Sequence, residues 1–418
     1  MDAMSPSVRT DRENARYKKG ETVTFIIDGL PAKKKIEYII ELDCDEKLVS
    51  GKVPASGKVS VIADRPGFIN IKIDTDAAIL EGAAAVSPEK IKPSQPKPAD
   101  FDEFWNGRLK ALAKVPAGLK IEQIPPLSQF AMEDWREKWP FYGDHPVKTN
   151  DIKVFKFEAA NLTGNPARGY IAMPAKAKAG SLPALLTTHG AGVCDSDLPK
   201  TCAGAELGFL SMNINAHGLV CGQPQSYYRG VADTFTDLFK TYSCFQRGKY
   251  DLETLYFVEM YLRHKRALDV LCVQKQWDGR NLMINGVSQG GALALACAAL
   301  DKRVAAICAG VPALVDCTSR YTLKNWFGIL DENPENIRKI SSTMRYASLC
   351  NFAGKTKAAA YFTAAYLDRS CHPATVYAGY NLYAGPKKMH DAPLCHHGNV
   401  PNQIHFQEFA DFMFDNLK

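Results

Sequence analysis

Residues 281–300, NLMINGVSQGGALALACAAL, constrain this chain more than any other segment. They begin as a short apolar run of strand character (281–285), pass through Gly286-Val287-Ser288-Gln289-Gly290, and continue at once as a helix of alanine and leucine. The pattern G-x-S-x-G is a weak signal alone and a strong one between a strand and a helix. A serine on so tight a turn stands with its hydroxyl exposed above the sheet. Glycines two residues to either side let strand and helix approach closely. The helix start behind the serine adds backbone N–H donors and the positive end of a dipole. The segment therefore has the makings of a nucleophile on a strained turn, with Ser288 as the attacking residue.

The surroundings suit such a turn. From about 150 onward strand-like runs alternate with helical ones: IKVFKFEA, RGYIAMP, PALLTTH, FLSMNIN, NLMING, VAAICAGV, AAAYFTAAYLD and KKMHDAP, with helices expected at 251–275, 290–301 and 402–417. Such alternation predicts a mostly parallel sheet covered on both faces, here an α/β fold of the α/β-hydrolase type. Asp100 and Glu103 form a helix-start box, followed by Phe101, Phe104, Trp105, Leu109 and Leu112 at helical spacing. The chain before this point is different. TVTFIID (22–28), KIEYIIEL (35–42), KVSVIA (58–63) and FINIKID (68–74), separated by turn signals at 29–31 and 65–67, read as a small all-β sandwich of immunoglobulin-like size. Residues 87–100, SPEKIKPSQPKPAD, carry four prolines and resist helix and sheet alike. The expected organisation is a sandwich at 1–86, a Pro/Lys-rich linker at 87–100 and a catalytic domain at 101–418, with no internal repeat.

Composition narrows the function classes. The 418 residues are 46% hydrophobic and 23% charged, which suits a globular chain with a sizeable core. The formal charge of +6 is spread thinly, with no basic run interleaved with aromatics, and argues against a nucleic-acid partner. No apolar stretch reaches the roughly 18–20 residues of a membrane span. The opening MDAMSPSVRT lacks the apolar core of a signal peptide; a periplasmic or extracellular setting with a leader removed is favoured over a cytoplasmic one. Of the 12 cysteines, Cys297 and Cys308 sit in small-residue helix and strand runs as small hydrophobes, so no disulfide framework is expected. Of the sandwich aromatics, Tyr17, Phe25, Tyr38 and Phe68, most are expected in the core rather than on a sugar-stacking surface.

Serine is a poor nucleophile at its own pKa and needs a base and an orienting acid. In this fold both follow the serine, acid before histidine. Asp368 ends the strand-like AAAYFTAAYLD and is preferred over Asp316, which follows an earlier strand. KKMHDAPLCHHGN offers His390, His396 and His397; His390 falls inside the strand pattern and is assigned to structure, leaving the adjacent pair. A metal reading of His390, Asp391, Cys395, His396 and His397 fits no regular zinc spacing, so neither metal nor cofactor is expected. The oxyanion of a tetrahedral intermediate needs two donors, worth about 3 kcal/mol each. The Gln289 N–H is one, and the Ala191 N–H, in the loop after PALLTTH, is the other; His189 is assigned to shaping that loop.

Several segments taken together resemble the acetyl xylan esterase and cephalosporin C deacetylase family: PADFDEFWNGRLKALAKVP, PALLTTHGAG, NGVSQGGALALA, YLDRSCHPATVYAGYNLYAGPKKM and the terminal HHGN with its helix. They cover roughly 100–418 in the family's order. The resemblance implies Ser288 as nucleophile in G-x-S-Q-G, Asp368 as acid before Cys371 and Pro373, and, by alignment of AGPKK with the family's last strand, His397 rather than His396 as base. It implies cleavage of acetyl esters on xylan-type sugars without a cofactor, and a carbohydrate ester as partner; a homo-oligomer stays open. A sandwich before such a domain is similar to a subgroup of esterases from polysaccharide-degrading bacteria. Three departures stand out. Asn215-Ala216-His217-Gly218 replaces the family's Arg-Gly-Gln, Ala191 stands where a tyrosine is common, and Gly398-Asn399 replaces glutamate after the histidine. They admit two other readings: an esterase for bulkier or aromatic, feruloyl-like acyl groups, and an inert carbohydrate-binding or scaffolding protein.

Overall fold

The computed structural model describes residues 5–30, 36–75, 77–235, 245, 247–327, 333–398 and 402–418. Residues 1–4 of the opening segment, Pro31 of the first turn and Lys35 of the second strand run lie outside the described residues. The N-terminal region holds eight strands: β1 (Ser7–Thr10), β2 (Arg16–Tyr17), β3 (Thr22–Asp28), β4 (Glu37–Leu42), β5 (Glu46–Lys52), β6 (Lys58–Ile62), β7 (Gly67–Asp74) and β8 (Ile79–Val86). They form a sheet β1-β3-β6 and a sheet β2-β8-β7-β4-β5, facing across one core that contains Val23, Phe25, Ile40, Ile71 and Val86. Tyr17, Phe25 and Phe68 are buried and Tyr38 is half-buried.

Side chains alternate across a strand, and in β7 and β8 they alternate between two cores. Ile69, Ile71, Ala84 and Val86 point into the sandwich, whereas Phe68, Ala83 and Ala85 belong to the core of the α/β region. That double burial explains why β8, ILEGAAAV, is built of alanine and glycine at its inner end: small residues let the sheet lie close against its neighbour. The five-stranded sheet is therefore a middle layer between the sandwich core and the C-terminal part.

After β8 the segment 87–100 makes one 3-10 turn, Pro88–Lys90, and then runs along the α/β region. It is tied down rather than free. Asn381 Nδ2 donates to Pro88 O at 2.8 Å and Ile91 O at 2.9 Å, and Ser94 donates to Asp316 through N at 2.7 Å and Oγ at 2.8 Å. The helix Phe101–Lys114 forms where its apolar spacing places it, but the expected start box does not: Asp100 makes no side-chain cap. Its carboxylate accepts instead from the Tyr346 hydroxyl.

Nine further strands make one sheet: β9 (Lys120–Ile124), β10 (Ile152–Ala159), β11 (Ala167–Pro174), β12 (Leu182–Thr188), β13 (Leu210–Ile214), β14 (Trp277–Val287), β15 (Ala306–Gly310), β16 (Ala359–Ala365) and β17 (Lys387–Ala392), in the order β17-β16-β15-β14-β12-β13-β11-β10-β9. The six strands from β13 to β17 are parallel, and β9, β10 and β11 add antiparallel pairings at one side. This is the α/β-hydrolase arrangement. The interior strands are apolar without alternation, as burial on both faces requires; β15, AICAG, is buried throughout. From β12 the chain crosses to β13 on one side, and from β14 to β15 on the other. Such a reversal opens a crevice at the carboxyl ends of the two neighbouring strands, between Thr188 and Val287. Among the described residues no helix is long and apolar enough to cross a membrane, and the eleven described cysteines are all free.

Candidate active site

Ser288 leaves the end of β14 with φ 61° and ψ −123°, a backbone state that L-residues rarely adopt. Two hydrogen bonds hold it there: Ser288 N donates to Gly310 O at 2.8 Å, and Ala313 N donates to Ser288 O at 3.0 Å. The flanking glycines are required by contact. A Cβ on Gly286 would lie 2.1 Å from Thr188 Oγ1, and one on Gly290 would lie 2.6 Å from Thr188 O. Strand β14, strand β12 and the helix Gln289–Leu300 thus meet at van der Waals distance beneath the serine. Gln289 is the first residue of that helix, so its backbone N–H has no partner within the helix.

The structure brings three of the sequence-derived residues together. Asp368, fully buried just past β16, accepts from His397 Nδ1 at 2.7 Å. A carboxylate only accepts, so His397 carries its proton on Nδ1 and leaves Nε2 as the acceptor. The Ser288 hydroxyl donates to that nitrogen at 2.9 Å. The second carboxylate oxygen of Asp368 accepts from Ser370 N and Cys371 N, each at 2.8 Å. Three donors therefore satisfy a charge taken wholly out of water. All three residues lie beyond the carboxyl ends of parallel strands β14, β16 and β17.

The competing candidates go elsewhere. Asp316 holds Ser94 and Thr318. His390, inside β17, pairs with Glu408 at 2.8 Å. His396 points to the sandwich, with Glu81 Oε2 at 3.1 Å, and its Nδ1 donates to Leu367 O at 3.2 Å. Asp391 takes Arg16 at 2.5 Å and the Tyr377 hydroxyl. The five-residue cluster weighed as a metal site is thus divided among separate partners. Among the described residues Asp368, Cys371 and His397 do offer ligand atoms within 4.8 Å of one another. Cys371, whose Sγ is 4.0 Å from Ser288 Oγ, went unassigned in the sequence beyond its family position. Burial pushes its thiol well above the ordinary value, so it faces the serine as a neutral thiol.

Ala191 is exposed in the loop after β12. The segment that departs from the family's Arg-Gly-Gln holds this loop in place. Asn215 donates to Cys194 O at 2.8 Å, and His217 Nε2 donates to Gly192 O at 3.2 Å. His189 Nε2 accepts from Ala216 N at 2.9 Å, which is the loop-shaping role expected of it. His217 Nδ1 lies against the Tyr256 hydroxyl. Burial, helped by the neighbouring His189 and Arg263, pushes the pKa of His217 down to about 3, so it works as a neutral linker. Arg263, buried in the helix Tyr256–Cys272, adds a bond of 2.5 Å to Ala216 O. Asn399, the last of the noted departures, lies outside the described residues.

Comparison with known proteins agrees with this architecture. The sequence family described as acetyl xylan esterase (AXE1) matches residues 140–415. An acetyl esterase, Axe7A, of Xylanibacter ruminicola is 29% identical over 402 residues, covering 91% of this chain and 84% of that protein. That span reaches into the all-β region, since 101–418 alone would fall short of it. Among solved structures, an acetyl xylan esterase from Paenibacillus sp. R4 superposes with a TM-score of 0.62 at 24% identity, covering 79% of this chain and 98% of that one. Acetyl xylan esterase 1 from Thermoanaerobacterium sp. JW/SL YS485 gives a TM-score of 0.59 at 20% identity, over 78% and 98%. These two show the shared fold.

Proposed function

Because the chain belongs to the acetyl xylan esterase family, and is a carboxylic ester hydrolase, we propose that it removes small acyl groups, acetyl above all, from carbohydrate through Ser288, His397 and Asp368. The observation that carries the reading is the unbroken pair of hydrogen bonds, 2.9 Å from Ser288 to His397 and 2.7 Å from His397 to Asp368, at the mouth of the crevice. His397 Nε2 takes the Ser288 proton as Oγ attacks the ester carbonyl. Asp368 fixes the tautomer and stabilises the imidazolium that forms. The N–H groups of Gln289 and Ala191 receive the oxyanion. Collapse of the intermediate expels the sugar alcohol, which leaves with the proton from His397. Water, activated by the same nitrogen, then attacks the acyl-enzyme and frees the acid.

Acetate release from acetylated xylan, mannan, pectin and small acetylated sugars tests the substrate class. The Ser288→Ala variant tests the machinery: we predict turnover lower by about 10⁵-fold or more with unchanged folding. Undiminished hydrolysis of nitrophenyl acetate by that variant would remove Ser288 from the mechanism. One observation favours a second reading. Ala191 is small and exposed where the family commonly carries a tyrosine, so no ring stands there to exclude a bulkier or aromatic acyl group. Comparing kcat/KM for acetyl, butyryl and feruloyl esters separates the two.

A further inference from the structure

The residues next to the acid and the base meet on one side chain of the sandwich, although Arg369 also reaches Cys44 O at 3.5 Å and Glu41 at 3.8 Å. Glu81, on β8, places Oε1 3.0 Å from Arg369 Nη2 and Oε2 3.1 Å from His396 Nε2. Arg369 follows Asp368 in the chain, and His396 precedes His397. The two loops that carry acid and base come from different strands. Besides the His397–Asp368 bond, Tyr366 N donates to Ala392 O at 3.1 Å, Leu367 N to Cys395 O at 3.0 Å, and His396 Nδ1 to Leu367 O at 3.2 Å. The last three of these lie on the strand side of the pair; the Glu81 carboxylate adds a link across the two loops from outside them, through the side chains of Arg369 and His396. It does so from a stiff platform, since β8 pairs with β7 along its whole length. The same sheet also grips the acid turn upstream. Asn70 Nδ2 donates to Tyr366 O at 3.1 Å, and the Phe68 ring meets the Tyr366 ring edge-on at 4.9 Å.

We propose that Glu81 is a positioning residue for the Asp368–His397 pair, and that the sandwich serves catalysis by bracing the two loops on which that pair depends. The inference rests on the reading of Ser288, Asp368 and His397 given above. Catalytic groups must be held within roughly 0.5 Å of productive geometry by their supporting contacts. Arg369 and His396 are nearly half exposed, and ion pairs so open to water contribute little to stability. The contribution of Glu81 is therefore geometric, and its loss registers in rate before it registers in folding.

The full chain carries the test. Turnover of nitrophenyl acetate is measured per active serine, counted by fluorophosphonate labelling, together with the rate of that labelling and the melting temperature. Glu81→Ala is expected to lower kcat and the labelling rate together by about 10- to 100-fold, as a displacement of about 1 Å does. KM and the melting temperature stay close to those of the unaltered enzyme. Glu81→Gln, which keeps one hydrogen bond, falls between the two. Arg369→Ala and His396→Ala each remove one arm of the brace and lower kcat separately; they also decide the matter if Glu81→Ala does not fold. A kcat per labelled serine within about twofold of the unaltered enzyme in these variants overturns the proposal, as does a fall in melting temperature without a fall in rate. Ser288→Ala, run beside them, separates the failures: if it keeps full turnover, the reading of the site fails and the brace with it. If it is inactive while the Glu81 variants are not, only the brace fails.

Discussion

Ser288 holds a positive φ that costs on the order of 1–3 kcal/mol for a residue with a Cβ, and its surroundings over-determine that state. Three backbone bonds run to its own N and O, from Gly310, Ala313 and Ala292. The glycines around it were readable in the sequence as permission for close approach, and the coordinates say what is approached. At Gly290 the neighbours are backbone atoms at the end of β12 and just past it, with Thr188 O at 2.6 Å and His189 O at 3.1 Å from a notional Cβ. Backbone cannot swing aside as a side chain can. Gly290→Ala is therefore expected to push the helix Gln289–Leu300 off the sheet, costing about 1–3 kcal/mol of stability and displacing the Gln289 N–H. Chemical unfolding and nitrophenyl acetate turnover check it; an alanine variant of unchanged stability would mean that strand and helix are less tightly joined than these distances indicate.

At the scale of elements, the loop after β12 depends on the end of β13. Asn215 Oδ1 accepts from His217 N and Leu219 N, each at 3.0 Å, while its Nδ2 donates to Cys194 O. One buried amide thus joins the turn after β13 to the loop that bears Ala191. Asn215→Ala is predicted to lower kcat about tenfold and stability by about 1–3 kcal/mol, because polar groups stay buried without partners. Normal kcat with reduced stability would show that the loop does not set the oxyanion donor. The sequence displayed the eight strands from β10 to β17 because buried parallel strands are apolar runs bounded by turn residues. It hid β9, KIEQI, whose side chains are mostly exposed at the sheet edge. It also hid β8, whose alanines carry no β preference and owe their state to packing between two cores. Asp100 looked like a cap locally and is drawn off by a tyrosine 246 positions away. Glu81 had no local signature at all: its partners are fixed only when the sandwich meets the catalytic part.

Across the whole molecule folding buries titratable groups, and their sum sets the acid limit of the fold. His217, His264 and His372 lie in different layers, all nearly or wholly buried, and burial pushes each from the ordinary 6.5 down to about 3, with Arg263, Arg320 and Arg369 adding to it nearby. Burial lowers His189 in the same sense, so below about pH 6.5 the unfolded chain binds up to four protons that the folded one refuses. Stability is then fully present above about pH 6.5 and falls as the pH is lowered. Two carboxyls work in the opposite sense. Burial raises Asp43 from 3.8 to about 6, and it raises Glu206, so the folded chain takes up protons there before the unfolded one does. Four histidines against two carboxyls leave a net difference of up to two protons, or up to about 2.8 kcal/mol lost per pH unit between roughly pH 6 and 4. We predict that the urea midpoint falls continuously from pH 7 to pH 5 and that His372→Gln, which removes one refused proton, flattens the slope by about half. A midpoint independent of pH over that interval would mean that these imidazoles are charged inside the fold, and with it that their surroundings are wet rather than packed.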